Sequence, residues 1–160
     1  MKKLPILLFA MVFAACATPP FKLDGVNQNI SPTQTKGNDQ FQGQRVVWGG
    51  MIVETKTFDK YTQIEVLSYP LDDSTAPIES GQTQGRFLLK YDGFLEPAEY
   101  ASGRWLSAIG LVQPSIKGNI GSAEYHYAVL EAQQIHLWSE DRDSEGNTRF
   151  HFGIGIGIRL

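Results

Sequence analysis

The chain predicts an all-β domain: a small antiparallel, OB-like barrel of about six strands with at most one short helix, preceded by a signal peptide and a flexible tether. Three observations carry that prediction. Apolar residues alternate with period two over successive segments. Gly, Pro, Asn and Asp punctuate the chain at short spacing. No segment sustains an apolar period of 3.6 residues. A length of 160 residues suits one domain, and 42% hydrophobic residues can supply a core. The formal net charge is -3, with no basic run after Lys3, which argues against a nucleic-acid partner.

The first 15 residues have the layout of a signal peptide. Lys2 and Lys3 make a short positive start, and residues 4–15 carry no charge. That run has the length of a signal-peptide apolar region and falls short of the roughly 20 residues that cross a bilayer. Ala14 and Ala15 are small, as a signal peptidase requires, so cleavage is expected between Ala15 and Cys16. Cys16 is the only cysteine, which rules out an internal disulfide and a cysteine-based zinc site. A lone thiol, an intermolecular link and a modification site remain. Phe13, Ala14, Ala15 and Cys16 together resemble the lipobox of bacterial lipoproteins, with Phe13 where Leu is usual. The resemblance implies a diacylglyceryl group on the Cys16 thiol and an acyl chain on the freed amine, with no other cofactor. An ordinary secretory signal with an incidental cysteine, and a buried N-terminal helix, are the competing readings. Pro19 and Pro20 would stop such a helix. Ala17 stands where an Asp tends to retain lipoproteins in the inner membrane, so the same resemblance points to the outer membrane.

Residues 16–43 then read as the lipidated N-terminus and a tether, rich in Asn, Gln, Thr, Pro and Gly and too poor in apolar side chains to fold alone. Phe21, Leu23 and Val26 are its candidates for docking. The folded domain is expected over residues 44–160. Residues 45–54 are β-prone, with Gly49 and Gly50 marking a bulge or sharp bend. Residues 57–60 look like a hairpin loop, and residues 61–69 alternate strictly, so they form a second strand. Pro70 ends it, and the loop chemistry of Asp72, Asp73, Ser74 and Pro77 follows. Residues 85–91 form a third strand, Asp92 and Gly93 a turn, and residues 95–100 one short helical turn. Residues 105–113 form a fourth strand. Gly118 to Gly121 reads as a turn, not a phosphate cradle. Residues 125–138 make one bent strand or two, and residues 149–160 a last one. Closing the sheet into a barrel removes edges that would otherwise pair with neighbours.

Several phrases recur in the order of one family. They are Val47-Trp48-Gly49-Gly50 with Ile52; the run from Thr62 to Leu71; Gly85-Arg86-Phe87; Gly93-Phe94-Leu95 with Pro97 and Tyr100; Gly103-Arg104; Ile120-Gly121; Tyr125-His126-Tyr127; and His136-Leu137-Trp138. They resemble the Slp family of bacterial outer-membrane lipoproteins. The resemblance implies a lipid-anchored outer-membrane protein of Gram-negative bacteria, linked to stationary-phase or stress physiology; a body facing the periplasm is the expectation built on it. It implies no reaction, and Cys16 is the one residue it assigns. The last residues depart from the family: Gly153, Gly155 and Gly157 alternate with Ile154, Ile156 and Ile158. A closing strand, an edge for a partner or the membrane, and a loose tail are the alternatives.

Motifs of chemistry are absent from the sequence. His126, His136 and His151 lack the pairing of a zinc helix, so no metal is expected. No GxSxG elbow occurs, and the Asp pairs sit in turn-like loops. No catalytic residue is assigned. Trp48, Trp105 and Trp138 are core or strand-pair residues, or else part of a ligand face, since OB-like barrels also bind oligosaccharides. Three functions are therefore carried: a non-enzymatic structural or interaction module of the envelope, with an envelope protein as partner; a binding domain for an envelope glycan or small ligand; and a hydrolase, which would need two titratable groups converging in a cleft.

Overall fold

The computed structural model describes residues 20–139. The leader, Cys16, His151 and the strand expected over residues 149–160 lie outside the described residues. Within them the alternating segments become five strands: β1 Arg45–Thr57, β2 Tyr61–Ser68, β3 Arg86–Asp92, β4 Trp105–Ile120 and β5 Ala123–Leu137. They close into a barrel in the order β1-β2-β3-β5-β4. Four pairings are antiparallel. The expectation of an antiparallel barrel fails at one seam, where β3 and β5 run parallel. The chain leaves β3, crosses to β4 and returns through the long β4–β5 hairpin, so β5 reaches β3 in the same direction. The result is a five-stranded Greek-key barrel of the OB kind.

One face of each strand fills the interior. Trp48 and Ile52 of β1, Ile64 and Val66 of β2, Phe87 and Leu89 of β3, Leu106 and Ala108 of β4, and Ala128 and Leu130 of β5 form one cluster. Trp48 and Phe87 meet edge to face at 5.2 Å, a favoured aromatic geometry. Leu95 and Tyr100 from the β3–β4 link pack against this cluster. The link makes the one expected turn of helix, Tyr100 N donating to Glu96 O at 3.0 Å, and goes no further.

Three local readings are corrected. Gly49 and Gly50 hold no bulge; the register shift lies further on, between Ile52 and Glu54. Gly50 instead pairs with Leu106 on one side and Ser68 on the other. It sits where β1 passes from one neighbour to the next, and a Cβ there would collide with the backbone carbonyl of Leu67. β4 does not stop at Gln113. It runs on to Ile120, because Pro114, with no N–H to give, falls in a bulge between Gln113 and Ile116. The turn is accordingly Gly121 and Ser122, not residues 118–121, since Asn119 and Ile120 are still paired.

The largest correction concerns residues 20–43. They do not behave as a tether but lie on the barrel as a strap. Phe21 is buried with Val47 and Ile109 on the outer face of β1 and β4, with Leu23, Val26 and Leu71 packed around them. Asn27 forms a parallel bridge to Val46. Ile30 joins the interior cluster, and its carbonyl accepts from Trp48 Nε1 at 2.6 Å. A short helix α1, Pro32–Thr35, follows Ser31, with Pro32 at its start and Gln34 closing a capping box. A 3-10 turn spans Asp39–Phe41. Docking of Phe21, Leu23 and Val26 is as their apolar character suggests. The polar residues between them are tolerated because they face solvent.

Candidate functional site

The structure separates the three tryptophans. Trp48 is 3% exposed and belongs to the barrel interior. Trp105 and Trp138 lie together on the outer face, Trp138 N donating to Trp105 O at 2.8 Å. Tyr69 meets Trp105 edge to face at 5.2 Å, and His136 meets Trp138 at 4.4 Å and Phe21 at 6.2 Å. Trp138 Nε1 donates to Ser107 Oγ at 2.9 Å, and Ser107 Oγ donates to Thr75 O at 2.6 Å. This polar relay pins the β2–β3 link against β4. Burial holds the His136 imidazole below its ordinary pKa, since taking the ring out of water disfavours the charged form. His126 is exposed beside Glu124 at 3.4 Å. An extra residue in β5 at Gln133 shifts the register, so His126 and His136 fall on opposite faces of that strand. Among the described residues no three His, Cys, Asp or Glu side chains gather as metal ligands.

A pocket of about 310 Å³ opens where the strap meets the barrel. Gln28 and Asn29 of the strap form one wall. Trp48 lies at the base. Tyr69, Thr75 and Gln84 of the β2–β3 link form the other wall. That link is tied down locally. Asp72 Oδ1 accepts from Ser74 N at 2.8 Å and Ala76 N at 2.9 Å, and Ile78 N donates to Pro70 O at 2.8 Å. Thr75 holds a φ of 70°, a left-handed backbone that a β-branched residue rarely adopts. Its hydroxyl is buried with no hydrogen-bond partner among the described residues. Strain of this kind persists only where the surroundings over-determine it.

A second concavity of about 480 Å³ lies on the opposite outer face, between the β4–β5 hairpin and the β2–β3 pair, and is mainly apolar. Tyr61, Ile116 and Val129 line it with Lys90, whose ammonium sits 5.6 Å from the Tyr61 ring. Next to it Arg86 pairs with Glu65 at 2.6 Å, and Tyr127 OH donates to Glu65 at 3.3 Å. Burial, then the Glu65 charge, raises the Tyr127 pKa. Lys36 of the strap donates to Tyr125 OH, whose oxygen also accepts from Arg86 N at 2.8 Å.

Sequence reasoning placed ligand chemistry on the tryptophans. It missed the seam pocket, because the two walls lie about 40 residues apart and one of them belongs to a segment read as a spacer. Trp48 at its base and the turn that begins at Asp72 were its legible parts.

Comparison with known proteins settles the lineage. The model of the Outer membrane lipoprotein Slp family matches residues 13–153. The chain belongs to the Slp family. Slp-family relatives include an uncharacterised protein of Haemophilus influenzae, 30% identical over 86% of this chain and 77% of its own. The outer membrane protein Slp of Escherichia coli is 28% identical over 83% of this chain and 72% of its own. The E. coli lipoprotein YeaY is 25% identical over 81% and 68%. Slp-family membership makes this an outer-membrane lipoprotein of the envelope. Among solved structures, the mitochondrial single-stranded-DNA-binding protein Rim1 of S. cerevisiae is similar at 19% identity and a TM-score of 0.38, over 59% of this chain and 94% of its own. A Plasmodium falciparum SSB gives 12% and 0.37 over the same shares. At that level nothing about nucleic acid passes to this Slp-family chain.

Proposed function

We propose that the protein is anchored in the outer membrane through an acylated Cys16 and that its barrel acts as a non-enzymatic interaction module of the envelope, in a stationary-phase or stress setting. The observation that carries the reading is the family match, which takes in Phe13, Ala14, Ala15 and Cys16 as well as the barrel. The docked strap gives it a geometric consequence. Phe21 is already buried on the barrel, and it stands five residues after Cys16, a reach of at most about 18 Å. The acyl chains would therefore hold the body close to the bilayer, not on a long spacer. The filled barrel interior leaves binding to the outer surface.

Intact mass of the mature protein from membranes tests the anchor. The expected species starts at Cys16 and carries a diacylglyceryl group and one amide-linked acyl chain. The Cys16→Ser variant lacks that mass and leaves the membrane fraction. An unlipidated mature chain in the wild type would overturn the reading and leave a soluble secreted barrel.

A further inference from the structure

We propose that the seam pocket binds a neutral ligand rich in hydroxyl and amide groups, about one sugar ring in size, of the kind a glycan strand presents. Its volume, about 310 Å³, is at the lower end of the range for small-molecule sites. Three side-chain amides line it, on Gln28, Asn29 and Gln84. None of the three makes a side-chain hydrogen bond among the described residues, although neighbouring turns are densely bonded. Each amide offers both a donor and acceptor, which matches a hydroxyl or an N-acetyl group. The Tyr69 ring and the edge of Trp48 add apolar surface for the faces of a sugar ring. No described lining residue is basic, and two, Asp72 and Asp73, are acidic, so a phosphate or carboxylate would meet like charge and find none of the charge-assisted bonds that hold such groups.

One wall of the pocket is also set in place before a ligand arrives. Thr75, at a φ of 70°, is fixed through its carbonyl by Ser107 and through its N–H by Asp72 O at 2.9 Å. A wall already ordered lowers the entropic cost of binding. The site goes beyond the anchor reading and does not depend on it: its walls are the strap and the β2–β3 link, whatever Cys16 carries.

Saturation-transfer NMR on the full-length chain in detergent micelles tests the site. The probes are N-acetylglucosamine, its β-1,4-linked trimer and N-acetylglucosamine 6-phosphate. Saturable transfer to at least one of the neutral sugars is expected, with the 6-phosphate weaker. Asn29→Ala and Gln84→Ala should each weaken binding roughly fivefold, the loss of one hydrogen bond. Lys90→Ala, in the other concavity, should leave it unchanged. No transfer to either neutral sugar overturns the proposal. So does tighter binding of the 6-phosphate, or binding that ignores Asn29 and Gln84 but fails in Lys90→Ala. None of these results alters the mass of the mature protein, so the site and the anchor fail separately.

Discussion

The barrel and the strap both bury apolar side chains, but they hold them by different means. Phe87, Ile64, Leu89 and Leu130 are fully buried and sit in strands paired on both sides around a closed ring. The strap places only Phe21, Ile30, Pro32 and Thr35 out of solvent, and ties them with one bridge at Asn27 and single bonds such as Trp48 to Ile30. Backbone ladders distribute stability over many residues, whereas the strap concentrates it in a few. Regions with few buried contacts open at lower free energy than the global unfolding. The seam pocket thus has one deeply held floor and one wall that can release first.

Substitutions in the barrel and in the strap should differ in cost. Gly50→Val should have the largest effect, because the new side chain meets the Leu67 backbone where β1 changes partner. A loss above about 4 kcal/mol is expected, seen as no cooperative unfolding transition by circular dichroism. Phe87→Ala should cost about 3–5 kcal/mol by urea denaturation. Phe21→Ala should cost less, about 2 kcal/mol, and should loosen the strap while the barrel's transition keeps its shape. Equal losses at the two phenylalanines would erase the distinction between the regions.

The smallest effect is the pH dependence at His136. Its folded pKa lies below the unfolded value, so the unfolded chain binds more protons near pH 6. Stability is then full above the unfolded pKa, about 6.5, and falls as pH drops towards the folded one. The unfolding midpoint of the wild type should decline from pH 7.5 to pH 5.5 more than that of His136→Phe. Identical profiles would show that the ring gains no protection from Phe21 and Trp138.

Much of the barrel is legible in the sequence because period-two alternation and turn residues act locally. Thr62, Ile64 and Val66 announce the inner face of β2, and the hairpin loop falls at 58–60, one residue short of the expected 57–60 because Thr57 still pairs with Thr62. The β4 extension is hidden because Pro114 reads as a stop, and only the partner strand makes it a bulge. The parallel β3–β5 seam needs a pairing between residues 41 apart, Phe87 with Ala128, for which no local pattern exists. The strap is hidden for a related reason. Phe21 and Ile30 are isolated apolar residues in a polar stretch; Phe21 is buried only by the outer surface of β1 and β4, and Ile30 only by the interior cluster. The pocket inherits that blindness, since one of its walls is strap.

Amide hydrogen exchange on the full-length protein reads directly whether residues 20–43 are part of the folded body. Asn27 N donates to Arg45 O at 2.8 Å, so its amide should exchange far more slowly than a free chain, approaching the amides of β1. Exchange across residues 20–43 at the rate of an unstructured peptide, with the barrel still protected, would contradict the account and return that segment to a tether.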